Sequence, residues 1–167
     1  MIKNESQNRR IIGVDPGLAA SGWGIIDSCG SRAVYVAHGC IQTEKDKSLG
    51  QRLLDIYTEI EKTIALYKPA AAAIEKLFFS KNVKTAMPVG EARGVLTLAL
   101  VKASLHVFEF SPNQIKQTVT GVAHADKRQV QEMTRLILRL DAIPRPDHAA
   151  DALAAAICAS QLSLSQN

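Results

Sequence analysis

Five side chains able to do chemistry stand out by their settings: Asp15, Glu75, Asp147, His148 and Asp151. Asp15 ends the apolar run Ile11-Ile12-Gly13-Val14 and is followed at once by Pro16-Gly17, while Glu75 ends a second apolar run, Ala70-Ala71-Ala72-Ala73-Ile74. Short apolar runs bounded in this way read as buried strands. Ligand sites of open α/β sheets lie beyond such strand ends. The remaining three belong to a helical pattern, in which residues three and four apart share a face. Carboxylates brought together without a basic partner repel one another, and burial makes that arrangement costly. A hard divalent cation with oxygen ligands removes the cost. Mg²⁺ binds through one or two carboxylates plus substrate phosphate, and paired ions activate a water and stabilise the leaving oxygen of a phosphodiester. Each residue also has a local reading: Asp15 as a turn residue, Asp147 after Pro146 as a helix N-cap, Asp151 as a response to the helix dipole, His148 as a surface histidine. Taken singly, none of the positions is diagnostic.

The elements that must position these groups follow from the pattern of apolar residues. After the Asp15 turn, a second strand covers Ala20 to Ile26 and a third covers Ala33 to Ile41, giving an antiparallel meander. Leu53, Ile56, Tyr57, Ile60, Ile64 and Tyr67 recur at helical spacing after the N-cap candidate Ser48, and Pro69 closes the helix. A strand ending at Glu75 comes next. A helix with Pro88 in its first turns or kinking it is expected from about Asn82 to Ser104, then a short strand, His106 to Phe110. A polar, basic stretch from Gln114 leads to a helix over Lys127 to Leu140, and a last helix starts near Asp147 with Leu153, Ala156 and Ile157 as its apolar stripe. The expected fold class is therefore α/β, a mixed central sheet of about five strands with helices on both faces. If the fourth strand pairs parallel to the first, Asp15 and Glu75 end adjacent strands on one side.

Length and composition narrow the classes. With 167 residues and 47% hydrophobic content, the chain suits one well-buried domain, set at residues 11–162 between a leader over residues 1–10 and a polar tail over residues 163–167. Cys29, Cys40 and Cys158 are far apart and odd in number, which fits a reducing cytoplasm and offers no zinc site. No apolar run is long enough to cross a membrane. A formal charge of +4 points towards a polyanion, and the scarcity of aromatics argues against an extended base-stacking platform. Gly90 and Gly94 lie four apart in one helix. Because glycine costs a helix about 1 kcal/mol against alanine, the pair suggests close approach of another backbone, within the monomer or, as preferred here, across a dimer.

With these residues in view, the chain resembles the RuvC Holliday junction resolvases from Arg10 to about Ser160. The resemblance is carried by five ordered blocks: Ile12-Gly13-Val14-Asp15-Pro16-Gly17, Ala73-Ile74-Glu75-Lys76-Leu77-Phe78, Gly90-Glu91-Ala92-Arg93-Gly94-Val95, Lys116-Gln117-Thr118-Val119-Thr120-Gly121 and Asp147-His148-Ala149-Ala150-Asp151-Ala152-Leu153. It implies an RNase H-like fold, a homodimer, and symmetric Mg²⁺-dependent nicking of a four-way DNA junction in recombination and repair. By the same resemblance Asp15, Glu75, His148 and Asp151 are catalytic residues and metal ligands. Two Mg²⁺ ions per site are implied, with Mn²⁺ as a substitute, although an imidazole at position 148 is softer than Mg²⁺ favours and leaves a proton-handling role open. Lys116 and Lys127 match basic residues near the scissile phosphate, Phe78 matches an aromatic that enters the junction centre or else anchors a core beside Phe79, and Lys81, Lys84, Arg93 and Arg128 complete a basic surface. RuvA and RuvB, the branch-migration proteins, are the implied protein partners. Pro88 within the block that resembles the dimer helix, and the long leader, depart from the family pattern.

Three other readings compete. A non-cleaving junction-binding protein would be expected to lack one of the acids, and all are present. An ATP-handling domain of the actin and sugar-kinase type needs two such domains, for which the chain is too short. Another RNase H-like nuclease, acting on RNA, is not excluded by the acids alone.

Overall fold

The computed structural model describes residues 8–77 and 83–162, with backbone alone for 83–85. Five strands form one sheet in the order β3-β2-β1-β4-β5. Strands β1 (Arg9–Asp15), β2 (Ala20–Cys29) and β3 (Arg32–Gln42) make the antiparallel meander, and β4 (Ala71–Glu75) and β5 (His106–Phe110) join it in parallel. The first strand begins at Arg9 rather than Ile11, inside the segment read as leader, because Arg10 pairs opposite Asp27 and its guanidinium donates to that carboxylate at 2.8 and 3.0 Å.

Side chains alternate across a strand, so each strand feeds two cores. On one face Ile12, Val14, Ile25, Ala72 and Ile74 pack against α1 (Leu49–Tyr67) and α2 (Val83–Lys102). On the other, Ile11, Ile26, Ala71 and Ala73 pack against α3 (Pro112–Thr120), α4 (Lys127–Ile137) and α5 (Asp147–Leu162). Helix α1 starts as expected at the Ser48 cap, where Ser48 and Gln51 satisfy each other's backbone N–H groups, and ends at a left-handed Lys68.

Two expectations need correction. The polar stretch after Pro112 is a helix, α3, begun by the same device with Ser111 and Gln114 and ended by Gly121 at φ 78°. Its burial is confined to Ile115 and Val119, too little apolar signal to outweigh its amides and lysine. Helix α4 stops at Ile137, short of Leu140, because Arg139 turns left-handed at φ 54°.

Helix α5 determines how closely the layers approach. Eleven of its residues between Ala149 and Ser160 are buried, most of them alanine, so it is apolar all round rather than along one stripe. The sheet beneath it is correspondingly bare. A Cβ on Gly13 would lie 1.9 Å from the Ala152 carbonyl oxygen, and one on Gly22 would lie 1.9 Å from that of His148. Both contacts are with backbone, which cannot rotate away. Gly13→Ala is therefore expected to destabilise the protein by about 3 kcal/mol or more, the upper range of overpacking, read as a shift of the urea midpoint; an unchanged midpoint would contradict this account of the contact.

Candidate active site

Position along β1 and β4 decides which way the acids face. Ile11, Gly13 and Asp15 occupy alternate positions, as do Ala71, Ala73 and Glu75, and the parallel register sets Val14 beside Ile74. The two acids thus end neighbouring strands on the α5 side, the condition on which their convergence depended. Beyond Asp15 the chain turns through Pro16-Gly17, where Ser21 donates from its hydroxyl to the Gly17 carbonyl at 2.7 Å and accepts from the Gly17 N–H at 3.2 Å. The turn is fixed from within, without the Asp15 carboxylate.

Helix α5 brings the third group. His148 Nδ1 lies 2.6 Å from Asp15 Oδ2, and Asp151 sits on the same helix face one turn on. The Asp15 side chain is 17% exposed and that of Asp151 26%, so both carboxylates are largely withdrawn from solvent. Burial first, then the charges of Asp15 and Asp151, push the Glu75 carboxyl up to about 7. Asp151 is also raised, by burial and by Asp15. His148 is raised chiefly by its hydrogen bond to Asp15. These reciprocal effects mark a pocket with more negative charge than its surroundings tolerate.

Two cations of the protein itself partly relieve it. Besides His148 on Asp15, the Lys127 ammonium at the start of α4 stands 3.1 Å from Asp151 Oδ2 and 3.6 Å from Asp147 Oδ2. Lys116 on α3 lowers the Glu75 carboxyl through its charge without pairing with it. Among the described residues no three His, Cys, Asp or Glu side chains stand together in an arrangement that would grip one ion. The chemistry of the donor set nevertheless suits a hard cation: carboxylate oxygens in excess, one of them unable to ionise fully beside the others.

The remaining candidates separate. Asp147 is the first residue of α5 rather than the cap before it, and its carboxylate is taken by Arg145 at 2.6 Å as well as by Lys127. Arg93 does not belong to a free basic surface. Its Nε donates to the Glu75 carbonyl at 3.1 Å and its Nη2 to Glu109 at 2.8 Å, so it braces the end of β4. Arg128 is exposed at the start of α4. Phe78 and Lys81 lie outside the described residues, as does the Lys84 side chain. Among the described residues Gly90 and Gly94 face no backbone: a Cβ on Gly94 would meet nothing within 4 Å, and one on Gly90 only the tip of Leu77 at 3.7 Å. Reading by residue type missed Gln131, a buried amide beside Asp147; its spacing one turn after Lys127 is the signal that could have found it. The three cysteines are unbridged, and no helix among the described residues is long and apolar enough to cross a membrane.

A mixed sheet in this order, with acids at the ends of β1 and β4 and more on the closing helix, is an RNase H-like α/β fold. The yeast mitochondrial Holliday junction resolvase Ydc2 shares it at 12% identity, with a TM-score of 0.65 over 95% of this chain and 81% of that one. The family model of the crossover junction endodeoxyribonuclease RuvC matches residues 11–159, and the chain belongs to that family. It is 50% identical over 149 residues to the Thermosipho melanesiensis crossover junction endodeoxyribonuclease RuvC, covering 89% of this chain and 95% of the relative. Thermus thermophilus RuvC, solved in complex with Holliday junction substrate, superposes with a TM-score of 0.88 at 30% identity, over 94% of this chain and 96% of that one.

The raised carboxyls have a consequence for stability. A carboxyl whose folded pKa exceeds its unfolded value binds more protons when folded, so its contribution weakens as pH rises through that interval. For Glu75 the interval runs from 4.5 to about 7, and raised His148 acts in the same direction from its ordinary 6.5 upwards. Metal-free protein should therefore lose melting temperature from pH 5 to 8. Glu75→Gln should flatten the acidic half of that slope; an unaltered slope would mean that Glu75 is not under this strain.

Proposed function

We propose that the protein is a structure-selective DNA endonuclease that resolves four-way junctions by paired, divalent-metal-dependent nicks in strands of like polarity. The observation that carries this reading is the convergence of Asp15, Glu75 and Asp151 in one half-open pocket, with His148 on Asp15 and the ammonium groups of Lys116 and Lys127 near it. Family membership and the likeness to a resolvase held on its junction support the substrate. In this reading Asp15, Glu75, His148 and Asp151 hold Mg²⁺, two ions per site with Mn²⁺ able to replace it, and the ions supply activation of water and stabilisation of the leaving oxygen. The chain's own groups do the rest. The carboxylates orient the scissile phosphate's surroundings, Lys116 offsets charge beside Glu75, and the phosphate backbone is gripped by Lys81, Lys84, Lys116, Lys127 and Arg128 without reading sequence. Asp15 holds one imidazole nitrogen of His148, which leaves the other for a ligand or a proton.

The pairing of cuts needs two equivalent sites, and a two-fold dimer provides them. Helix α2 offers a surface for it: Met87, Leu98 and Val101 are exposed, and Gly94 lies open between them. In this reading Gly90 and Gly94 admit the partner's helix, Phe78 enters the junction centre, and residues 11–162 act as one nuclease domain flanked by leader and tail. RuvA and RuvB are the partners that family membership supports, and the unbridged cysteines suit a reducing cytoplasm.

In Mg²⁺, wild-type protein should cut a synthetic four-way junction in symmetric pairs and spare linear duplex and RNA hybrids. Asp15→Asn should lower cleavage at least about a hundredfold while junction binding in a gel shift persists. Cutting at the normal rate would remove Asp15 from the chemistry, and preference for RNA would favour the related RNase H-like reading. Gly94→Glu, whose Cβ would meet nothing within 4 Å among the described residues, should shift sedimentation towards monomer without lowering the melting temperature; an unmoved dimer would place the interface elsewhere.

A further inference from the structure

Between α4 and α5 one ammonium serves two carboxylates. Lys127 Nζ is 3.1 Å from Asp151 Oδ2 and 3.6 Å from Asp147 Oδ2. The two acids differ in what else they have. Asp151 shares its pocket with Asp15 and Glu75, and Lys127 is its cationic contact among the described residues besides the nearby charge of His148. Asp147 points the other way, onto Arg145 Nη1 at 2.6 Å, and beside it lies buried Gln131, whose Nε2 closes no full hydrogen bond of its own. Desolvation opposes ionisation of Asp147, but Lys127, Arg145 and Gln131 together hold its carboxyl below the usual range. Asp147 is thus fixed and negatively charged from other quarters, with a lobe facing the lysine.

We propose that Lys127 is the resident counter-ion of Asp151 in the metal-free protein and passes to Asp147 when a divalent cation takes Asp151, so that Asp147 is a positioning residue that keeps the ammonium at the rim of the site. The inference rests on reading Asp151 as a metal ligand. An ammonium and a dication on the same carboxylate oxygens repel each other. The exchange costs little motion, because Lys127 already lies between the two acids and its stem rotates freely. Lys127 is half exposed, so the competition is worth about a threefold change in metal affinity rather than a large one.

The test is Mn²⁺ binding to full-length, DNA-free protein, with unbound Mn²⁺ read by electron paramagnetic resonance. Lys127→Gln should bind Mn²⁺ about threefold more tightly than wild type. Lys116→Gln, which removes a nearby charge that forms no ion pair among the described residues, should tighten binding less. Asp147→Asn should weaken Mn²⁺ binding when Lys127 is present and have less effect in the Lys127→Gln background, a non-additivity that charge removal alone does not produce. Tightening no greater than that of Lys116→Gln, or an equal effect of Asp147→Asn in both backgrounds, would overturn the exchange. Wild-type protein that binds no Mn²⁺ would overturn the metal reading of the acids with it. Melting in metal-free buffer checks that each variant is folded, and where Asp147→Asn is not, the comparison of Lys127→Gln with Lys116→Gln decides.

Discussion

The closeness of α5 to the two central strands is the constraint on which everything else depends. Glycine on the sheet and alanine on the helix let backbone meet backbone at Gly13 and Gly22, and interiors so tightly packed transmit position with little slack. The first turn of α5 is thereby set beside the last residues of β1 and β4. Three acids far apart in sequence come within range of one another because the layer between them has no side chains to hold them off. A helix with one apolar stripe would have stood farther from the sheet, and His148 would not reach Asp15.

That proximity carries an electrostatic cost, and the molecule distributes it. Glu75 takes the largest share, with a carboxyl up at about 7. His148 and Lys127 offset part of the charge of Asp15 and Asp151. A pocket of this kind stores unfavourable free energy in the folded state that a bound cation would release, which is how stability and ligand affinity come to be linked at one site. The same fold without its acids would be more stable and would have nothing to offer a phosphodiester.

Much of this was legible in the sequence because the signals were local. Strand ends marked by Asp15 and Glu75, the Ser48 cap and the short strand His106 to Phe110 are written in neighbouring residues, and the structure places them as read. The resemblance over five blocks gave the family, which residue pattern alone did not. Most of what could not be read depended on distant contacts. The start of β1 is extended by Arg10 meeting Asp27 across the sheet. The polar helix α3 hid behind its amides, although Ser111 and Gln114 form the same capping pair as Ser48 and Gln51. Arg93 read as a phosphate contact because its spacing gives no clue to the carbonyl it holds, and Asp147 read as a cap because Lys127 reaches it only once α4 and α5 are packed.

Arg93 has a consequence beyond its own bonds. It stands next to Gly94 on α2, and its guanidinium spans from the Glu75 carbonyl to Glu109. One side chain therefore works as a strut between the outer surface of α2 and the inner edge of the acidic pocket. Whatever displaces that outer surface would therefore bear on the backbone carbonyl of Glu75 through a single side chain.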